Sequence, residues 1–398
     1  MFKDHRIILL AIAQTLTWAG LYYVFPALLV HWEQEPGWTK AELTGGITLA
    51  IFLSALAAPV AGRIIDGGKG GLMMTGSVLT GGVLLFCLSY VSSMTQFFLV
   101  WGAIGILFAG SLYEPCFALI TRARGSNAKR AIVKITLIAG FASSISFPMA
   151  HSLAEDYGWR MAVQVFALIV IFAAAPLTWW GTRNLQDDSA ANSNESSKVR
   201  DSQAVGRHSY LKQKSFWFLS FGFACLALLH GVTLHHLLPM LNERGIHPEV
   251  AVMAASFIGP MQVAGRLAMM AMEKHVSNHG IAVACFVVMS LSIILLTIAG
   301  TTLGLIILFV VLFAGGYGVV SIIRPVISRD ILGSEFFGAK SGAVALFYLL
   351  GSGSAPFIGS LIWARGGYEL VLPVIVVLSF LGLGLYMLSY RYSRPSES

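Results

Sequence analysis

Long apolar runs alternate along the chain with short polar breaks. The runs cover approximately 7–30, 41–61, 72–91, 95–120, 131–153, 160–181, 215–238, 248–271, 281–299, 302–327, 341–362 and 369–390. A helix rises about 1.5 Å per residue, so about 20 residues cross the hydrocarbon core of a bilayer. Each run is of that order. In lipid a spanning segment must satisfy its own backbone hydrogen bonds, which predicts helices. The pattern therefore predicts an all-α membrane protein of twelve transmembrane helices.

The polar breaks carry the topology. With the N-terminus inside, the outer breaks hold only Lys40, Arg160, Arg244 and Arg365 of the 26 Lys and Arg residues. The remainder falls on the inner side or in inner helix halves. That bias predicts a multi-pass protein with both termini cytoplasmic, in the plasma membrane or a bacterial inner membrane. One break is long and polar, "TRNLQDDSAANSNESSKVRDSQAVGRHSYLKQK". It is expected to be a flexible cytoplasmic linker over 182–214, between an N-terminal six-helix half at 1–181 and a C-terminal half at 215–398. Its Asn194-Glu195-Ser196 triplet matches a glycosylation sequon, which a cytoplasmic location would leave unused.

The two halves echo one another. "VAGR" occurs at Val60–Arg63 and at Val263–Arg266. "SFPMAHSL" at Ser146–Leu153 pairs with "SAPFIGSL" at Ser354–Leu361, 208 positions on, and Gly125-Ser126 meets Gly333-Ser334 at the same offset. Six-helix internal repeats suit a secondary transporter with a central site.

Composition agrees and narrows the class. The chain is 56% hydrophobic and 11% charged, where soluble domains run at about 45–50% and 25%. The net charge of +7 is thus read as topology bias, not as a nucleic-acid signal, and no nucleic-acid partner is expected. The four cysteines sit singly in apolar runs, as packing residues. No ATP-binding loop, acidic cluster, H-E-x-x-H or G-x-S-x-G occurs, which argues against a pump or an enzyme. No cofactor and no metal site are expected.

The break after span two reads "GRIIDGGKGG", Gly62 to Gly71. It resembles the signature loop of the major facilitator superfamily. Gly62 and Asp66 match that loop and Lys69 supplies a positive charge, while Gly67 stands where a basic residue is usual. "DYGWR", Asp156 to Arg160, is also similar to that superfamily. The resemblance implies that Asp66 latches the inner gate, with Arg63 as its candidate partner; a plain tight turn is the alternative. In span four no arginine precedes Arg122, and Pro148 of span five lacks an adjacent glycine. Those two features depart from the proton-coupled drug exporters of the superfamily. Arg266 in span eight resembles the monocarboxylate and oxalate/formate branches, where such an arginine holds the substrate carboxylate. Gln262 stands one turn earlier, where an aspartate is usual. Arg266 is either that anion ligand or a structural repeat of Arg63.

Ionisable groups inside the spans complete the candidate site. Glu114, in "FAGSLYEPCFALI", lies eight residues before Arg122, hence about 12 Å within the helix. A charge at mid-membrane costs about 2.5–3.5 kcal/mol, so Glu114 needs a partner, a proton or water. Arg324-Pro325 in span ten mirrors Glu114-Pro115, and the two charges are expected to meet across the halves; pairing within each half is the alternative. His230, His235 and His236 of span seven lack the spacing of metal ligands. His230 is a candidate proton or gate residue beside Glu114, Asp66 and Arg63. Gln14, Thr17 and Trp18 share one face of span one and, with Tyr317, join Arg266 and Arg324 as candidate substrate contacts. The resulting expectation is a monomeric transporter that moves a small organic anion with protons by alternating access, or else a drug or metabolite exporter of the same superfamily.

Overall fold

The computed structural model describes residues 5–35, 37–124, 128–183, 185, 209–333 and 337–393. Among them are eleven long apolar helices and no strand. The first ten are α1 (His5–Trp32), α2 (Lys40–Asp66), α3 (Gly70–Leu88), α4 (Met94–Arg124), α5 (Arg130–Tyr157), α6 (Trp159–Thr182), α7 (Lys214–Glu243), α8 (Pro248–Met272), α9 (Asn278–Ile298) and α10 (Leu303–Leu332). The eleventh, Lys340–Ser393, has 54 residues. Straight, it would measure about 80 Å, more than twice the hydrocarbon core. It is broken at Gly366-Gly367, where φ is −169° and then +61°. Gly367 takes the left-handed conformation that only glycine adopts cheaply. The stretch is therefore two crossing helices, α11 (340–365) and α12 (368–393), and the twelve expected spans are all present.

The chain divides into two compact units, one within 1–199 and one within 200–398. Most of the polar segment expected as a linker, including its sequon, lies outside the described residues.

Within each unit the helices approach closely at small residues. A Cβ on Gly105 of α4 would collide with the Ala50 backbone of α2. In the second unit a Cβ on Gly265 of α8 would strike the Gly315 backbone of α10, and one on Gly318 would strike Gln262. Apolar side chains gain little by leaving lipid for protein, so backbone contact of this kind is what holds membrane helices together. Of the cysteines, Cys116 and Cys285 are buried as expected, whereas Cys87 faces outward from α3.

Helix ends are tied by polar contacts. α2 opens with the capping box that its sequence predicts: Thr39 Oγ1 accepts from Glu42 N at 3.3 Å, and the Glu42 carboxylate accepts from Thr39 N at 3.1 Å. Beyond the end of α1, Glu35 accepts from Trp159 Nε1 at 2.6 Å and from Arg160 Nη1 at 2.9 Å. The second unit repeats the device, with Trp363 Nε1 donating to the Glu243 carboxylate at 2.9 Å. Each unit thus closes one end with a glutamate–tryptophan clamp.

Candidate transport site

In the first unit the site is built around two interrupted helices. Pro115 has no N–H to offer the carbonyl four residues earlier, that of Ser111. Leu112, between them, leaves helical geometry with φ −85° and ψ −159°. The freed carbonyl finds a donor on another helix: Gln14 Nε2 donates to Ser111 O at 2.9 Å. In α1 itself, Trp18–Tyr23 winds as a π-helix, and Ser146 Oγ of α5 donates to Ala19 O at 2.9 Å. Such widened turns inside helices often mark functional positions.

The π-helical turn presents an aromatic cluster. Trp18 lies 4.9 Å from Tyr22 and 4.6 Å from Tyr113 between ring centroids, and Tyr113 stacks on Phe117 at 5.0 Å. Trp18 Nε1 is buried without a hydrogen-bond partner. Glu114 follows Tyr113 and is exposed. Among the described residues no hydrogen bond or ion pair engages its carboxylate. Thr17 spends its hydroxyl proton on Ala13 O of its own helix, at 2.8 Å.

In the second unit one chain of contacts joins three of the predicted residues through a fourth that was not predicted. The Arg324 guanidinium lies over the Tyr348 ring at 4.0 Å. Tyr348 donates its hydroxyl to Tyr317 at 2.7 Å. The Tyr317 ring stacks on His230 with centroids 3.2 Å apart, and His230 stacks in turn on Phe313 at 5.3 Å. His230 Nε2 is buried without a partner. No carboxylate pairs with Arg324 among the described residues. Tyr348 sits in the run "LFYLL" of α11, where nothing but its aromatic character marks it.

Arg266 occupies a different place. It is buried, and its Nε donates to Gly318 O at 3.0 Å, so it braces the close α8–α10 crossing. Arg63, its echo in the other unit, is exposed and turns back on Pro59 O of its own helix at 3.4 Å. The two "VAGR" arginines therefore make different contacts. Nor does Arg63 hold Asp66. The partner of Asp66 is Arg122 of α4, whose Nη1 donates to Asp66 O at 2.8 Å and lies 3.5 Å from Oδ1. Three residues apart on α2, Arg63 and Asp66 could pair, but Arg63 turns toward Pro59 O while Arg122, near the end of α4, lies beside the loop.

The other span-seven histidines bond within the second unit. His235 Nδ1 lies 2.9 Å from Gly231 O, which can only accept, so the proton sits on Nδ1. His236 Nε2 lies 2.8 Å from Pro356 O and Nδ1 lies 3.0 Å from Tyr368 Oη. Nε2 therefore donates, because the Pro356 carbonyl can only accept. A different group of ligand-type side chains, His31, His151 and Glu155, meets in the first unit.

Residues 10–323 match the sequence profile of the Major Facilitator Superfamily. The chain belongs to this superfamily. Its fold is similar to that of a bacterial homologue of the human lysosomal transporter Spinster, at 14% identity. In the inward-facing, occupied conformation of that protein the TM-score is 0.69, over 100% of this chain and 99% of the other. In its inward-facing, unoccupied conformation the TM-score is 0.73, over 99% and 98%. The nucleoside transporter NupG is similar at TM-score 0.72 and 13% identity, with both chains covered in full. No curated protein matches the sequence. Membership makes the protein a multi-pass membrane transporter of a small-molecule substrate, not an enzyme.

Proposed function

We propose that the protein moves a small organic anion, of the monocarboxylate kind, together with protons by alternating access across the plasma membrane. The observation that carries this reading is Arg324. A guanidinium in a membrane-spanning helix, with an aromatic face beneath it and no carboxylate partner among the described residues, needs an anion or water to offset its charge. A substrate carboxylate can take two parallel hydrogen bonds from it. Tyr348 and Tyr317 fix the approach, and His230 extends the polar line. Arg266, although its Nε braces α10 at Gly318 O, is the second arginine assigned to the anion. Glu114 is the proton-carrying group, because an unpaired carboxylate within a span is stable when it is hydrated or protonated. Gln14 and Trp18 are the further substrate contacts proposed within the first unit.

The test uses the purified full chain. Short-chain carboxylates are expected to raise its melting temperature, and neutral amide analogues to leave it unchanged. In proteoliposomes an inward proton gradient should stimulate carboxylate uptake. Arg324→Lys should weaken the apparent affinity at least about tenfold, roughly 1.4 kcal/mol. Glu114→Gln should abolish gradient-driven uptake while substrate exchange continues. Stabilisation by apolar amines or dyes, with no response to any carboxylate, overturns the reading. It would favour the exporter alternative, which the Trp18–Tyr113 aromatic cluster supports.

A further inference from the structure

We propose that His31, His151 and Glu155 form a binding site for a divalent transition-metal ion of the Zn2+ type, between the Trp32 end of α1 and the Tyr157 end of α5. One ligand atom from each residue lies within 4.8 Å of the other two. His151 Nδ1 and Glu155 Oε1 are 4.0 Å apart, one helical turn from each other. In a tetrahedral zinc site the ligand atoms lie about 3.3–3.5 Å apart, so closure by up to about 1.5 Å completes the arrangement. The two rings are already near each other, with centroids 6.4 Å apart, and side-chain rotation suffices.

Three features favour a metal over packing. First, neither imidazole makes another hydrogen bond among the described residues, so binding breaks none. Second, the burial is graded. His31 and His151 are half-buried, and the Glu155 side chain is 59% exposed. An ion can enter past the carboxylate while two nitrogens hold it inside, and a water or anion completes the fourth position. Third, the backbones are already anchored. Ser146 Oγ bonds Ala19 O between the same two helices, and Trp32 packs against Trp159 at 6.2 Å. The ion need not order the site from scratch. The cluster is not a general product of the fold repeat. At the 208-position offset His151 meets Gly359 and Glu155 meets Trp363, neither of which is a ligand. Two imidazoles with one carboxylate favour Zn2+ and its neighbours over Mg2+ or Ca2+, which take oxygen donors.

The experiment is thermal unfolding of the purified, chelator-treated full chain with added Zn2+, Mg2+ or Ca2+. Zn2+ is expected to raise the melting temperature by several degrees at micromolar concentration, reversibly with chelator, while Mg2+ and Ca2+ do nothing. The shift should vanish in the double variant His31→Ala/His151→Ala. Should that variant fail to fold, Glu155→Gln, an exposed change, provides the same reading with a weakened Zn2+ response. Co2+ bound to the wild type should show the strong visible absorption of a four-coordinate site. Any of three results overturns the proposal: no Zn2+ shift, an undiminished shift in the variants, or an equal shift with Mg2+ or Ca2+. A weak, octahedral Co2+ spectrum does so as well.

Discussion

Gln14 shows how a side chain proposed to meet substrate can also be held by the fold. Its position on the span-one face predicts a cavity, and the residue is indeed placed toward the interrupted α4. Its amide proton, however, goes to Ser111 O, 97 residues away. That carbonyl lacks its helical donor because residue 115 is proline. Replacing Gln14 with leucine should leave the carbonyl buried and unmatched, at about 1–3 kcal/mol. A clear fall in the detergent melting temperature would report it. Thr17→Ala removes only a bond to its own helix and should cost less than about 1 kcal/mol. Comparable losses for the two variants would mean that the Gln14 bridge does not matter to folding.

At the scale of the element, close crossings and end clamps are the features that substitutions test. Gly265→Ala and Gly318→Ala each put a methyl group into the backbone of a neighbouring helix. Overpacking of this kind costs about 1–3 kcal/mol or more. Gly304, at the open start of α10, has nothing near its missing Cβ. Gly304→Ala should be neutral or gain a few tenths of a kcal/mol from helix propensity, up to about 1. Folded yield by size-exclusion chromatography separates the two classes. The Glu35 clamp predicts a pH dependence. The Trp159 indole N–H, and then the Arg160 guanidinium, hold the Glu35 carboxyl below its usual value of 4.5. A lowered folded value means that the clamp stabilises above pH 4.5 and is lost as pH falls through the folded value. The pair is solvent-screened, so its effect is about 1 kcal/mol or less. Glu35→Gln should therefore lower the melting temperature slightly at pH 7. The difference from wild type should close on acidification below pH 4.5; a gap that persists there would sever the link to this carboxylate.

For the whole molecule, the contact to probe is Asp66 with Arg122. It ties the α2–α3 loop to the end of α4 within one unit. If this pair latches one state of the transport cycle, Arg122→Gln should reproduce the effect of Asp66→Asn on the labelling rate of a cysteine placed near the Arg124 end of α4. Arg63→Gln should not. Equal behaviour of all three variants would indicate a general charge effect at that end of the protein.

Element number and type are legible in the amino-acid sequence, because in a bilayer hydrophobic length alone forces helix formation. The capping box of α2 and the break at Pro115 are legible for a related reason: each depends on residues near one another in the chain. Partner choice is not. Asp66 takes Arg122 instead of Arg63, Arg266 braces α10 while Arg63 does not, and Tyr348 links Arg324 to Tyr317. Those outcomes depend on which helix faces cross and at what depth. Apolar periodicity is a weak guide to that in membranes, since lipid-facing and protein-facing positions are equally greasy. His31 and His151 lie 120 residues apart in sequence, and only the packing of α1 on α5 brings their rings beside Glu155.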